Sequence, residues 1–248
     1  MMDQSQSGMR TEGTMEKMDG KALSLHIESE IQSKVSQFTL KGLRAPKLVV
    51  LLVGDNPASV TYVKNKEKAC LRVGFGSEVI RMSADAQTED VLKVINQLNQ
   101  DITVDGILVQ LPIPKHLDVN RIIESLDPKK DVDGLHSINI AKLYANQEGF
   151  VPCTPRGIMT LLKHYKIEIS GKHAVVIGRS ALVGRPVAQL LLNENATVTV
   201  CHSKTRNLEK ITQMADIVVV AIGQERFLKS NFITHADAII DDGLLIQN

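Results

Sequence analysis

The chain has 248 residues, enough for one large domain or two modest ones, and 43% of them are hydrophobic, which suits a soluble globular protein with an ordinary core. Its 29 basic and 28 acidic side chains leave a net charge of +1, and aromatic residues make up only 3% with no Trp. No nucleic-acid footprint, acidic-membrane patch or base-stacking surface is therefore expected.

The opening segment 1–17, MMDQSQSGMRTEGTMEK, is polar and lacks the apolar core of a signal peptide, so a disordered tail is expected. Asp3, Glu12 and Glu16 argue against a transit peptide; a cytoplasmic protein is expected, with a mitochondrial or plastid form left open. Cys70, Cys153 and Cys201 are odd in number and far apart, fitting neither a disulfide framework nor a CxxC metal site. No metal is expected, and a reducing compartment is. The longest apolar runs, LVVLLV at 48–53 and IVVVAI at 217–222, are too short to cross a bilayer and read as buried strands.

From Gly20 the chain alternates apolar runs with segments of helical period, the pattern of βα units around a parallel sheet. Leu23, Ile27, Ile31 and Val35 share one helical stripe. Then come a strand at 47–53, a helix at 58–73, a strand at 77–81, a helix at 88–100 and a strand at 105–109. The Pro- and Asp-rich stretch 110–157 separates shorter helical pieces, and beyond it GKHAVVIGRSALVGRPVAQLLLNENATVTVCHS reads as strand, Gly-loop, helix, strand. Two α/β domains are thus expected, a catalytic one at 18–150 and a Rossmann-like dinucleotide-binding one at 151–248.

Within the helix at 58–73, Tyr62 and Lys66 are four apart and share a face, whereas Lys64 and Lys68 pair about 200° away. Ala69, Cys70 and Val73 continue the Lys66 face inward, drawing Lys66 partly out of water, the setting in which a lysine serves proton transfer. Three solvated lysines on a surface helix remain open on geometry alone. DGILVQLPIP sets Gln110 at the C-terminal end of a buried strand, where open α/β sheets bind ligands. Asp131 and Asp133 of KKDVDGLH could be site residues or plain turn formers.

The loop after HAVVI places Gly178 for a tight turn, Gly184 for close backbone approach and Pro186 in a first helical turn, where a pyrophosphate would meet helix amides. Its G-x5-G spacing departs from the dinucleotide fingerprint, so a purely structural turn stays open. After TVTVC the acid expected for NAD is missing, and His202, Ser203, Lys204 and Arg206 stand there instead, with Arg179 able to assist. That favours NADP through its 2′-phosphate, although Lys204 and Arg206 also fit a charged surface loop.

Taken in order, VGDNPASVTYVKNKEKACLRVGF, DGILVQLPIP, DPKKDVDGLH, VPCTPRG and GRSALVGRPVAQLL resemble the bifunctional methylenetetrahydrofolate dehydrogenase/cyclohydrolase family from Met18 to Gly243. The resemblance implies a homodimer of two-domain chains with a catalytic cleft between the domains and NADP as cofactor. It implies oxidation of 5,10-methylenetetrahydrofolate, then hydrolysis of the methenyl product to 10-formyltetrahydrofolate, in one-carbon metabolism and purine biosynthesis. It implies Lys66 as the acid/base residue, Tyr62 stacking on the folate, Gln110 bonded to Lys66, Pro112 beside the substrate and Asp133 anchoring the pterin. Gly178, Arg179, Ser180 and Gly184 would form the phosphate loop, Ser203 would neighbour the 2′-phosphate, and Thr154 with Pro155 would wall the nicotinamide.

The chain departs from the family pattern in places. Ser137 and Ala141 stand where Pro and Gly are usual, GQERF at 223–227 lacks a proline, and Asp242 replaces an apolar residue. Beyond the last residue the family carries a Gly-Asp-Val-Asp strand, a Thr-Pro-Val-Pro-Gly-Gly-Val-Gly-Pro loop and a final helix, so a form truncated at the C-terminus is expected. The rival expectation is a non-catalytic form that binds nucleotide or folate, or pairs with another subunit.

Overall fold

The computed structural model describes residues 17–224 and 227–241. The expected tail lies outside the described residues up to position 16, as do positions 225 and 226 of GQERF and Asp242.

Helix α1 (Gly20–Leu40) starts where the Asp19 carboxylate accepts the Lys21 and Ala22 amides at 3.0 and 2.9 Å. Of its predicted stripe Leu23 and Val35 are buried and Ile27 and Ile31 half-buried, while Leu25, Phe38 and Leu40 face solvent. Strand β1 (Lys47–Val53), helix α2 (Pro57–Val73), strand β2 (Gly76–Met82), helix α3 (Thr88–Gln100) and strand β3 (Gly106–Val109) fall within one residue of the ranges read from the sequence. The Asn56 side chain caps α2, Pro57 opens it, and Gly74 closes it at φ +82°, a left-handed conformation costly for other residues.

The first sheet is parallel in the order β2-β1-β3. Val49, Leu51 and Val53 of β1 enter a core shared with Val91 and Ile95 of α3, whereas Val50 and Leu52 meet Val63 of α2 on the other face. Covering both faces explains why the strand reads as an unbroken apolar run rather than an alternating one. Two short helices, α4 (Val119–Glu124) and α5 (Ser137–Tyr144), occupy the Pro- and Asp-rich stretch. Its segment 127–134 is held on the sheet: the Ile107 amide donates to the Lys130 carbonyl at 2.7 Å, and Ile107 and Asp131 form a parallel bridge. The Lys130 ammonium donates to three carbonyls that end α3, those of Leu98, Asn99 and Asp101, at 2.9, 2.9 and 2.7 Å.

The second half contains α6 (Cys153–His164), β4 (His173–Ile177), α7 (Gly184–Asn193), β5 (Thr197–Cys201), α8 (Leu208–Thr212), β6 (Ile217–Val220) and β7 (Ala238–Asp241). Its sheet is parallel in the order β5-β4-β6-β7. Ala174 and Val176 of β4 pack toward α6 and α7, and Val175 and Ile177 toward Ala215 on the opposite face. In each sheet the strand order reverses beside the first strand, so the loops after β1 and β3, and those after β4 and β6, diverge there and open a crevice. The halves also touch away from the crevice: Asn193 Nδ2 donates to the Leu143 carbonyl at 2.9 Å, and the Asp19 amide to the Tyr165 hydroxyl at 2.7 Å. No described helix is long and apolar enough to cross a membrane.

Candidate active site

A cleft of about 1010 Å³ lies where the two crevices meet. Its first wall carries Tyr62 and Lys66 from α2, Gln110 and Leu111 from the end of β3, and Asp133 and Leu135 from the loop that follows Lys130. Its second wall carries Cys153 and Thr154 from the first turn of α6, Gly178, Arg179 and Ser180 after β4, His202 and Ser203 after β5, and Ala221 to Gly223 after β6.

The helical phase of α2 separates the lysines as the spacing predicts: Lys64 and Lys68 are exposed, and Lys66 is half-buried above buried Cys70 and Val73. Lys66 Nζ donates to Gln110 Oε1 at 3.0 Å, and Gln110 Nε2 donates to the Leu111 carbonyl at 2.7 Å. The second bond fixes which face of the carboxamide meets the lysine, so Gln110 presents an oxygen and holds the ammonium in place. Tyr62 is 47% exposed, leaving an aromatic face open at the mouth of the cleft.

Burial pushes the Asp133 carboxyl above the usual carboxylate range, against the pull of the Lys66 ammonium and of a 3.5 Å hydrogen bond from Cys153 Sγ. Crowding by the walls, then the Asp133 charge, likewise raises the Cys153 thiol although its surface is open to the cleft. Asp131, open between two roles in the sequence, is a structural residue. It is 1% exposed and accepts the His136 amide at 2.9 Å and Asn139 Nδ2 at 2.8 Å, which shapes the turn presenting Asp133. Ser137 adds an anchor to the same turn, its amide and hydroxyl both donating to Glu124, at 3.0 and 2.7 Å.

The glycine loop is shaped by backbone against backbone. Gly178 has φ +120°, and a Cβ there would lie 2.2 Å from the Ala221 carbonyl oxygen; a Cβ on Gly184 would lie 2.4 Å from the Gly178 oxygen. Gly184 is therefore buried behind the loop, where the lack of a Cβ lets the turn after β4 close on the start of α7. The first amides of α7 are taken up within the loop itself. The Val183 and Gly184 amides donate to Ser180 Oγ at 3.2 Å each, and the Arg185 amide to the Ser180 carbonyl at 3.0 Å. Arg179 is left as the loop's cation on the wall.

Pro112 is exposed and stands one residue beyond Leu111, outside the lining. Lys204 and Arg206 lie outside the lining as well. Their turn is closed by the His202 amide donating to Thr205 Oγ1 at 2.8 Å and the Lys204 amide to His202 Nδ1 at 3.1 Å, which leaves His202 and Ser203 on the wall. Sequence reasoning did not single out Cys153, although it sits beside Thr154 in VPCTPRG, nor Ala221 to Gly223, the end of the IVVVAI run.

The profile described as tetrahydrofolate dehydrogenase/cyclohydrolase, catalytic domain, matches residues 18–133, and that of the same family's NAD(P)-binding domain matches residues 152–247. The chain belongs to the tetrahydrofolate dehydrogenase/cyclohydrolase family. Among curated relatives, the bifunctional protein FolD of Campylobacter hominis is 53% identical over 230 residues, 93% of this chain and 81% of the relative. That of Streptococcus agalactiae is 48% identical over 229 residues, 92% of this chain and 81% of the relative. Among solved structures, the FolD enzyme of Campylobacter jejuni superposes with a TM-score of 0.89 at 47% identity, covering 92% of this chain and 80% of that one. The Trypanosoma brucei enzyme, solved with NADP and an inhibitor, gives 0.86 at 36% identity, covering 91% and 77%.

The walls of this family member fit NADP on their own terms. Two glycines without room for a Cβ bring the backbone turn after β4 against the end of β6, with Arg179 beside it. At the end of β5, where a ribose diol would need a carboxylate, the wall offers Ser203 and His202, and among the described residues of the lining Asp133 on the opposite wall is the only carboxylate.

Proposed function

We propose that this chain oxidises 5,10-methylenetetrahydrofolate to 5,10-methenyltetrahydrofolate with NADP and then hydrolyses the product to 10-formyltetrahydrofolate. The observation that carries the reading is the Lys66–Gln110 bond of 3.0 Å on one wall, with the Asp133 carboxyl beside it and the Gly178–Ser180 loop on the wall opposite. NADP, when bound, supplies the hydride acceptor. Gly178, Arg179 and Ser180 would take its phosphates, Ser203 with His202 its 2′-phosphate, and Thr154 would border the nicotinamide.

The remaining steps are proton and positioning work by the chain itself. Tyr62 offers its ring face to the flat pterin and aminobenzoyl system. Asp133, a carboxyl that keeps its proton more readily than usual, can both donate to and accept from the polar edge of the pterin. In hydrolysis, water adds to the methenyl carbon and gives up both its protons as the formyl carbonyl forms; one ends on nitrogen N5 as its bond to that carbon breaks, and the other leaves to solvent. Lys66 is the lysine on the cleft wall, and we assign both transfers to its amine. The convergence of these residues in one cleft favours this catalytic reading over a non-catalytic, subunit-pairing one.

The proposal extends to assembly and setting. A homodimer is supported by the edge of β5, unpaired among the described residues, and the exposed Val200 and Leu192 beside it; light scattering would report the mass. A cytoplasmic supply of formyl groups to purine biosynthesis accords with three free cysteines. A steady-state assay with methylenetetrahydrofolate and NADP tests the central reaction. NADPH and 10-formyltetrahydrofolate should accumulate, and no hydride transfer at high enzyme concentration would overturn the proposal.

A further inference from the structure

Helix α6 and the segment 128–142 each serve two cavities. Cys153 and Thr154 face the catalytic cleft, whereas Arg156, Met159, Thr160 and Lys163 of the same helix line a second crevice of about 750 Å³ at the domain joint. Likewise Asp133 faces the first cavity, and Lys129, Asn139 and Lys142 the second. The volume is that of an ordinary small-molecule site.

The second crevice has an apolar floor, formed by Phe150, Val151, Met159 and Leu190, and an excess of cations. Lys163 is paired with Glu194, but Lys129, Lys142 and Arg156 make no ion pair and no side-chain hydrogen bond among the described residues, with Glu148 as the remaining carboxylate in the lining. Asn139 is 1% exposed, and both protons of its amide nitrogen are committed, to the Pro128 carbonyl at 2.9 Å and to Asp131 Oδ2 at 2.8 Å. The group it has left is Oδ1, beside Gly149 on the crevice wall. A ligand that satisfies all three features carries several negative charges, an apolar ring and one N–H donor.

We propose that this crevice is a regulatory site for a nucleoside polyphosphate, its phosphates on Lys129, Lys142 and Arg156 and its base on the apolar floor with an amine donating to Asn139 Oδ1. The route to the catalytic cleft is short. Asn139 holds Asp131, and Asp131 shapes the turn that aims Asp133 at the folate. Gly134 in that turn packs against the Phe150–Val151 backbone of the crevice, where an added Cβ would lie 2.6 Å from the Phe150 oxygen. A ligand that moves one wall of the crevice therefore moves a wall of the cleft.

The test is titration of ATP, and separately of inorganic tripolyphosphate, into the full chain held at saturating NADP so that the dinucleotide site is filled. ATP should bind, tripolyphosphate more weakly. Lys129→Ala and Lys142→Ala, neither in the catalytic walls, should each weaken ATP by about 10-fold or more while leaving the melting temperature and the activity without ATP unchanged. ATP should also change the KM for methylenetetrahydrofolate by about 5-fold or more, the scale of ordinary coupling between sites. Absence of binding, binding that both substitutions leave untouched, or binding that leaves KM unmoved would each overturn the proposal. The binding arm needs no turnover, so its outcome stands apart from that of the folate reaction.

Discussion

Periodicity made Lys66 legible as a face, and the family resemblance alone named its partner Gln110. Helical period in TYVKNKEKAC separates Lys66 from Lys64 and Lys68, but nothing local tells that an amide 44 residues on accepts its hydrogen bond; β3 must first be laid beside β1 for Gln110 to arrive there. Asp133 illustrates the same limit, since its neighbour Asp131 has the same chemistry in the sequence and the opposite fate in the fold. The raised Asp133 carboxyl gives a signed prediction. A carboxyl whose folded pKa exceeds its unfolded one favours the fold fully at low pH, and that contribution is lost as pH rises through the folded value. At neutral pH its ionisation thus costs stability. Asp133→Asn should melt higher than the wild type at neutral pH, with the gap closing as pH falls into the carboxylate range. The same variant should raise the KM for folate by about 10-fold or more, the scale of a lost charged hydrogen bond. Melting curves across pH and one kinetic series check both halves.

Most elements announced themselves. Parallel strands covered on both faces leave uninterrupted apolar runs, and α2 carries its cap, its proline and its terminal glycine in order. The segment 127–134 did not, because it is held by long-range bonds that no period marks. Lys130 is its anchor, with three carbonyls on its ammonium and its own carbonyl on the Ile107 amide. Lys130→Met should cost about 2–3 kcal/mol, the scale of charged hydrogen bonds partly replaced by water. It should also loosen the turn that carries Asp133, raising the KM for folate more than it lowers kcat. Chemical denaturation gives the first number and steady-state kinetics the second. Gly184 and Pro112 mark another limit: a motif names a residue without its duty, and here Gly184 lets two stretches of backbone meet while Pro112 stands one residue beyond the lining.

At the scale of the whole molecule, two βα layers could be read from the alternation of apolar runs and helical periods, whereas their meeting in a cleft came only with the family resemblance. The cleft exists because both sheets turn their diverging loops toward one another, and the joint is closed elsewhere by bonds such as Asn193 to Leu143 and Asp19 to Tyr165. NADP that binds only the folded chain should stabilise it by about 2.7 kcal/mol at a concentration 100 times its dissociation constant. For a chain of this size that is a rise of about 5–10 °C in Tm, and NAD at equal concentration should give less, because Ser203 and not a carboxylate stands at the end of β5.

The account turns on Lys66. Lys66→Gln shortens the side chain by one atom and keeps a hydrogen-bonding end while removing its exchangeable charge, so the fold and the NADP-induced rise in Tm should persist. Cyclohydrolase turnover, followed by loss of methenyltetrahydrofolate absorbance, should fall by about 10²–10⁴-fold. Hydrolysis at the wild-type rate in a variant that still binds NADP would contradict the assignment of the acid/base role to this residue.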